Sequence, residues 1–395
     1  MSLIVQKFGG TSVSNIDRIR KVALIIKQEI DNGNMSVVVV SAMSGVTNNL
    51  VSLAKQLGAF EGDEEYDAIV SSGEQITAGL VAQSLKELGI RSRSFTAWQL
   101  PIVTDDSFGK ANIKSINTYA LKEYVKNGGV PVITGFQGVC DGARVTTFGR
   151  GGSDMTAVAI SAALGAEICD IYTDVSGVFT ADPMIVPNAK IINSIDYTDM
   201  LEMSYSGAKV LQSRAVEYAI NNDVIMRVKS SFINGDGSII GHFETKSVVG
   251  LALSDNLERI SVFFDNEDHF NKIVEFFNEN MIKFDISVKT DSYMTIFVNK
   301  DELHNITESL QYSGLVRKIE YLTRMNNEPQ LSKITIIGHK TPELVEQVEL
   351  ALKSVNIKAR NISQFRTKVI VWVESCCDKI ALNAIHNFCI INGND

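Results

Sequence analysis

The chain has 395 residues, enough for two or three domains with sizeable cores. Its apolar (45%) and charged (21%) fractions are those of an ordinary globular protein. A formal net charge of −9, with no block of lysine and arginine, argues against nucleic acid or an anionic membrane as a partner. The stretch Met1–Lys7 lacks the layout of a signal peptide, and no apolar run approaches membrane-spanning length. Cys140, Cys169, Cys376, Cys377 and Cys389 are scattered without metal spacing, which implies reduced thiols and a cytoplasmic protein. The five histidines (His242, His269, His304, His339 and His386) all fall after residue 241, so chemistry in the first 241 residues runs without histidine. That excludes most hydrolase and zinc-enzyme readings.

In chain order, Leu3–Phe8 predicts a short strand that carries Lys7 to its end and leads into Gly9-Gly10-Thr11-Ser12. A lysine there, beside a glycine turn, suits a phosphate, although a strand-end lysine can also be merely solvated. Ile16, Ile19, Val22, Ala23, Ile26 and Ile30 recur at helical spacing. Val37–Val40 predicts a fully buried strand of the parallel type, followed by the turn Ser41–Asn48 and another helix. Thr47-Asn48-Asn49 offers a helix cap. Ser71-Ser72-Gly73-Glu74, ahead of Ile76–Leu85, has capping-box spacing, so Glu74 is either a cap or a carboxylate for a substrate ammonium group.

Further strands are predicted at Gly129–Phe136, Ile168–Val175 and Val224–Ser230, with helices between most of them. Thr146–Asp154 places three glycines around Arg150 and runs into a small, apolar, helix-forming stretch. Such a turn opens either an anion site at a helix N-terminus or a loop capped by Ser153 or Asp154. Arg150 suits a carboxylate or a phosphate. Tyr172–Pro183 supplies two acidic residues and an aromatic that could grip a purine, or it is a series of turns. Ser206–Leu211 predicts a capped helix start with Lys209 in its first turn, a penalty of roughly 0.3–1 kcal/mol that an anion would relieve. The alternation of strand and helix implies an α/β domain with a mainly parallel sheet sandwiched by helices, and ligands beyond the carboxyl ends of its strands.

After Asn234–Gly237 the pattern changes. Ile260–Phe264, Phe270–Phe277, Phe284–Val288, Tyr293–Val298, Leu303–Leu310 and Leu315–Tyr321 read as strand, helix, strand, strand, helix, strand. A polar linker, Met325–Gln330, follows, and the same order recurs from Ile334 but ends one strand short, after a helix near Ile385. Val248–Leu253 is strand-like with no partner before it, so it is expected to cross over and complete the second unit. The expected domains are 1–245, 258–324, and 246–257 plus 331–395. Two lysines directed at phosphate, an arginine directed at carboxylate and glycine anion cradles together suit a kinase of an anionic small molecule. A carboxylate acceptor, with a pKa of about 4, needs no general base.

Val5–Ser12, Ser41–Asn48, Ser71–Glu74, Thr146–Asp154 and Tyr172–Pro183, followed by Lys209 in Gly207–Leu211, resemble in order the signatures of bacterial monofunctional aspartokinases. These belong to the amino acid kinase superfamily, and the resemblance covers roughly residues 1–245. It implies an amino acid kinase fold followed by two ferredoxin-like ACT modules. It implies ATP and Mg²⁺ as cofactors, L-aspartate as substrate and a homodimer, or a higher oligomer, built through the ACT modules. The product would be 4-phospho-L-aspartate, on the diaminopimelate route to lysine and on the routes to threonine and methionine. Carried over by position, Lys7 and Lys209 would neutralise the transferring phosphoryl group, with Asp154 orienting them and Arg150 clamping an aspartate carboxylate. Thr47, Glu74, Gly151, Gly152 and Ser153 would help hold the amino acid. Phe8, Gly9, Gly10, Ser41, Thr173, Asp174, Phe179, Asp182 and Val210 would line the nucleotide region, and Mg²⁺ would be held through the ATP phosphates.

There are departures from the family pattern. Met184 stands where the family has arginine after Ala-Asp-Pro, so ATP affinity drops or another cation substitutes. Gln212-Ser213 replaces a frequent His-Pro. Asp265–His269 and Asn361–Arg366 depart from the usual effector loops, which implies weakened or altered feedback. Rival readings are a kinase of glutamate, acetylglutamate or carbamate, and a catalytically weak regulatory protein that binds an amino acid.

Overall fold

The computed structural model describes residues 2–391 apart from 150, 209, 280–281, 302, 323–328 and 340. The chain forms two units. The first comprises Met1–Phe179, Ile191–Ser204 and Lys209–Thr245, and the second Thr180–Lys190, Tyr205–Ala208 and Lys246–Asp395. Residues 180–190 and 205–208 therefore group with the second unit although they lie within 1–245.

In the first unit, eight strands form one sheet: β1 (Leu3–Phe8), β2 (Met35–Val40), β3 (Ser92–Phe95), β6 (Val130–Thr134), β9 (Ile168–Thr173), β10 (Ser194–Asp196), β11 (Met226–Ser230) and β12 (Ser238–Gly241). Their spatial order is β10-β12-β11-β9-β1-β2-β6-β3, and every pairing is parallel except that of β11 with β12. A second sheet joins β4 (Ile102–Thr104), β5 (Ile113–Ile116), β7 (Gln137–Val139) and β8 (Val145–Thr147) in the order β5-β4-β7-β8. The predicted strand Gly129–Phe136 is thus β6 alone, and the chain turns at Phe136 (φ 72°) into β7.

Helix α1 (Ile16–Asp31) starts at Asn15, whose side chain accepts from Arg18 N–H, and buries Ile19, Val22, Ala23 and Ile26. That face meets Phe8, Val38 and Val40, where each fully buried aliphatic side chain contributes about 1.5–3 kcal/mol. Phe8 and Tyr172 stack in the same core, with ring centroids 4.6 Å apart. Helices α2 (Val46–Gln56), α3 (Glu64–Val70), α4 (Ser72–Glu87), α5 (Tyr119–Lys126), α6 (Gly152–Leu164), α7 (Tyr197–Tyr205) and α8 (Ser213–Asn221) follow. α6 is buried on every side from Gly152 to Ser161, in keeping with its unbroken small and apolar sequence.

The second unit has two small antiparallel sheets. β14 (Leu257–Phe263), α9 (Glu267–Glu279), β15 (Phe284–Lys289), β16 (Tyr293–Asn299), α10 (Leu303–Tyr312) and β17 (Lys318–Tyr321) make the first module, with strand order β15-β16-β14-β17. β18 (Leu331–Gly338), α11 (Thr341–Ser354), β19 (Asn361–Gln364), β20 (Lys368–Glu374) and α12 (Asp378–His386) make the second. β13 (Val248–Ser254) completes it by pairing antiparallel with β18, which gives the order β13-β18-β20-β19. Phe297 of the first module stacks on Trp372 of the second at 4.2 Å. The second module's core also takes Ala181 and Val186 from the 180–190 excursion. Leu251 N–H donates to the Thr180 carbonyl (2.7 Å) and Asn383 to that of Ile185 (2.9 Å). The Thr180 hydroxyl meets Nε2 of the fully buried His386 at 2.8 Å. Most of the expected linker falls in 323–328, outside the described residues.

Candidate active site

β1 lies in mid-sheet with β2 on one side and β9 on the other, so three strands deliver their carboxyl ends to one place. Lys7, next to last in β1, lies 2.6 Å from Asp154 in the first turn of α6, with only 12% and 10% of the two side chains exposed. A carboxylate at that helix end is favoured by the dipole. α6 has Gly151 as its N-cap, in the left-handed region at φ 72°, and no side chain caps it. The capping reading of Ser153 and Asp154 is thereby overturned: both lie inside the helix, buried, and Asp154 faces the lysine. A Cβ on Gly151 would come within 2.9 Å of the Gln212 side chain, so both the backbone angle and the space require glycine.

Glu74 departs from the capping-box reading as well. Ser71 has helical backbone angles and closes α3, so its side chain does not cap α4. Oε1 of Glu74 instead accepts the main-chain N–H of Ala42 at 2.9 Å, and Oε2 is buried without a partner. Burial pushes the Glu74 carboxyl up to about 7, against the hydrogen bond from Ala42. Gly73 admits this approach, since a Cβ there would stand 2.8 Å from that of Ala42. α2 is capped by Gly45 (φ 83°) rather than by Thr47, which lies half-buried in the first helical turn. The turn after β2 is tied to the turn after β1: Ser41 N–H donates to Phe8 O (3.1 Å) and Ser44 N–H to Gly10 O (3.2 Å). Lys7, Gly9, Gly10, Ser41, Thr47, Glu74, Gly151, Gly152, Ser153 and Asp154 thus belong to adjoining strand ends and helix starts.

The Phe8 side chain is fully buried against Tyr172, so Phe8 offers a ligand only its main chain, and Tyr172 is a core residue rather than a purine grip. Beyond β9, the Thr173 hydroxyl donates to the exposed Asp174 (3.1 Å), and the half-buried Phe179 bridges to Ile191. Asp182 groups with the second unit, where its carboxylate accepts Met184 N–H at 2.9 Å. Val210 is half-buried, and the helix after it begins only at Ser213, so the predicted start at Ser206–Leu211 and its dipole penalty do not arise. Arg150 and Lys209 lie outside the described residues. Two charged residues that no local pattern marks, Asp67 and Arg214, hold the glycine turn through contacts distant in sequence.

A parallel sheet whose strand ends present a carboxylate-held lysine, a glycine turn and a helix N-terminus is the framework of a small-molecule kinase. The model of the Amino acid kinase family matches residues 2–230, which makes the chain a member of that class. The aspartokinase of Rickettsia felis is 41% identical over 387 residues, covering 94% of this chain and 95% of the relative. That of Bacillus sp. strain MGA3 is 38% identical over 405 residues, covering 100% and 98%. The chain belongs to the aspartokinase family. Its fold is also that of E. coli aspartokinase III solved in complex with aspartate and ADP, with a TM-score of 0.79 at 23% identity over 98% of this chain and 99% of the other. These relatives speak against the rival kinase readings.

Proposed function

We propose that the chain transfers the γ-phosphoryl group of ATP to the side-chain carboxylate of L-aspartate, giving ADP and 4-phospho-L-aspartate. The carrying observation is the nearly buried Lys7–Asp154 pair at the end of β1, beside the glycine turn. Donor and acceptor are both anions, so the barrier lies in bringing like charges into line. A carboxylate oxygen attacks the γ-phosphorus while the bond to the bridging oxygen of ADP breaks, and no proton has to be removed. Lys7, oriented by Asp154, balances the phosphoryl charge together with Lys209. Arg150 clamps one aspartate carboxylate. Glu74 receives the ammonium group on its unpartnered Oε2, and Thr47 and Ser153 help hold the amino acid. Gly9, Gly10, Ser41, Thr173, Asp174 and Phe179 line the phosphates and the nucleoside.

Among the described residues no three His, Cys, Asp or Glu side chains converge. Mg²⁺, if bound through the ATP phosphates, would supply charge neutralisation. Among the described residues no helix is long and apolar enough to cross a membrane, and the five unpaired cysteines accord with the cytoplasm as the place of action. A homodimer would use the small modules, whose edge strand β15 exposes Ile286 and Val288. Trapping the acyl phosphate with hydroxylamine tests the reaction. Aspartyl hydroxamate formed with ATP and aspartate, and not with glutamate, is the expected result, and its absence would sink the reading.

A further inference from the structure

Glycine turns carry little conformational preference of their own, so one that must place charges has to be held from outside. Two charged side chains without a role in the chemistry above do this from two different helices. Asp67 on α3 is fully buried. Its Oδ2 accepts the N–H groups of Gly109 (2.9 Å) and Thr147 (2.7 Å), and its Oδ1 accepts the Thr147 hydroxyl (2.7 Å). Arg214 on α8 donates to the carbonyls of Phe148 (3.0 Å) and Ala111 (2.9 Å) and to Oδ1 of Asn112 (3.0 Å). The carboxylate takes amides and the guanidinium takes carbonyls, and both close on the same two segments, 109–112 and 147–148.

Those segments also bond directly, Ala111 N–H to Thr147 O at 2.9 Å, and a Cβ on Gly149 would stand 3.0 Å from the Gly109 carbonyl. The residues that follow are the glycine turn and the first turn of α6 with Asp154. Arg214 lies two residues beyond Gln212, the N-cap of α8, whose side chain packs against Gly151, so the start of α8 meets this turn at a second point. Burying a carboxylate merely to stabilise a fold is unfavourable compared with apolar packing of the same volume. Fixing the register of a turn is a use that repays it.

We propose that Asp67 and Arg214 are positioning residues that hold the glycine turn, and with it the acceptor carboxylate, between α3 and the start of α8. The proposal rests on the aspartate kinase reading. Arg214→Gln and Asp67→Asn should each raise the KM for aspartate about tenfold or more and lower kcat, while the KM for ATP stays within about twofold. Arg214→Lys should recover only part, because one ammonium cannot span three acceptors in a fork. Amide exchange across 145–155 should quicken in all three variants. A cooperative thermal transition with wild-type aspartate KM and wild-type exchange in Arg214→Gln would overturn the proposal. If that variant does not fold, Arg214→Lys decides by the same two readouts. If the wild-type protein yields no aspartyl hydroxamate, the substrate assignment falls, while exchange across 145–155 still decides the clamp.

Discussion

Glu74 in the first unit and His386 in the second are both buried ionisable groups, and each has one polar atom without a partner, Oε2 and Nδ1. Desolvation drives both towards neutrality, raising the carboxyl to about 7 and lowering the imidazole below its ordinary value. Their settings differ. Glu74 stands at the start of α4 against the turn after β2, where strand ends converge. His386 stands in an aliphatic core beside Thr180. The unmet hydrogen bond of Glu74 therefore lies among converging strand ends, where ligands bind in parallel sheets, and that of His386 lies in an aliphatic core.

The contrast can be broken most forcefully at the lysine. Lys7→Ala should lower kcat about 10³-fold, equivalent to about 4 kcal/mol of transition-state stabilisation, in protein that still shows a cooperative thermal transition. Single-turnover kinetics with ATP and aspartate measure it, and near-normal turnover would remove Lys7 from the chemistry. Next in size is a change in the closed core. Ile334→Ala, at a fully buried site in β18, should cost about 2–5 kcal/mol of stability. The two tryptophans, Trp98 in the first unit and Trp372 in the second, let denaturant titrations of Trp→Phe variants report each unit separately.

Glu74→Gln should raise the KM for aspartate about tenfold, since the amide lacks the charge for an ammonium group. It should also change the pH dependence of the first unit. Because the folded carboxyl titrates near 7 and the unfolded one at 4.5, its contribution to stability is full below pH 4.5 and is lost as pH rises through 7. The whole loss is about 3 kcal/mol. Removing the group should abolish that loss, as read through Trp98, and saturating aspartate should reduce it in the wild type. The smallest effect has the opposite slope. His386 is neutral when folded, so its contribution is present above pH 6.5 and is lost as pH falls through its lowered folded value. His386→Asn should flatten the acid limb read through Trp372. Parallel slopes in the two units would refute the contrast.

The first unit's central strands and the repeated order of the second unit are legible in the sequence because they rest on period and length. The missing strand at Val248–Leu253 could be inferred by counting, and it is the edge strand β13. The short strands β4, β5, β7 and β8 were not foreseen, since three or four residues carry no period. At Ser71–Glu74 a local motif competed with a tertiary partner, and the partner prevailed: Ala42 N–H lies 32 residues away. Asp67 and Thr147 are 80 residues apart, and Arg214 and Phe148 are 66 apart, so nothing near either residue announces its role. Lys7 and Asp154 could be paired in advance only through resemblance to a family.

The composite build of the last module bears on how such proteins can be recombined. Its interior needs Ala181 and Val186, contributed from the middle of the preceding sequence, and a strand that lies ahead of the intervening module. A chimera joined after residue 245 would set a borrowed C-terminal half against a native insert that had never been fitted to it. Exchange between relatives should therefore succeed only when residues 180–190 travel with the distal half, which makes this eleven-residue excursion, rather than the apparent boundary, the practical unit of modularity.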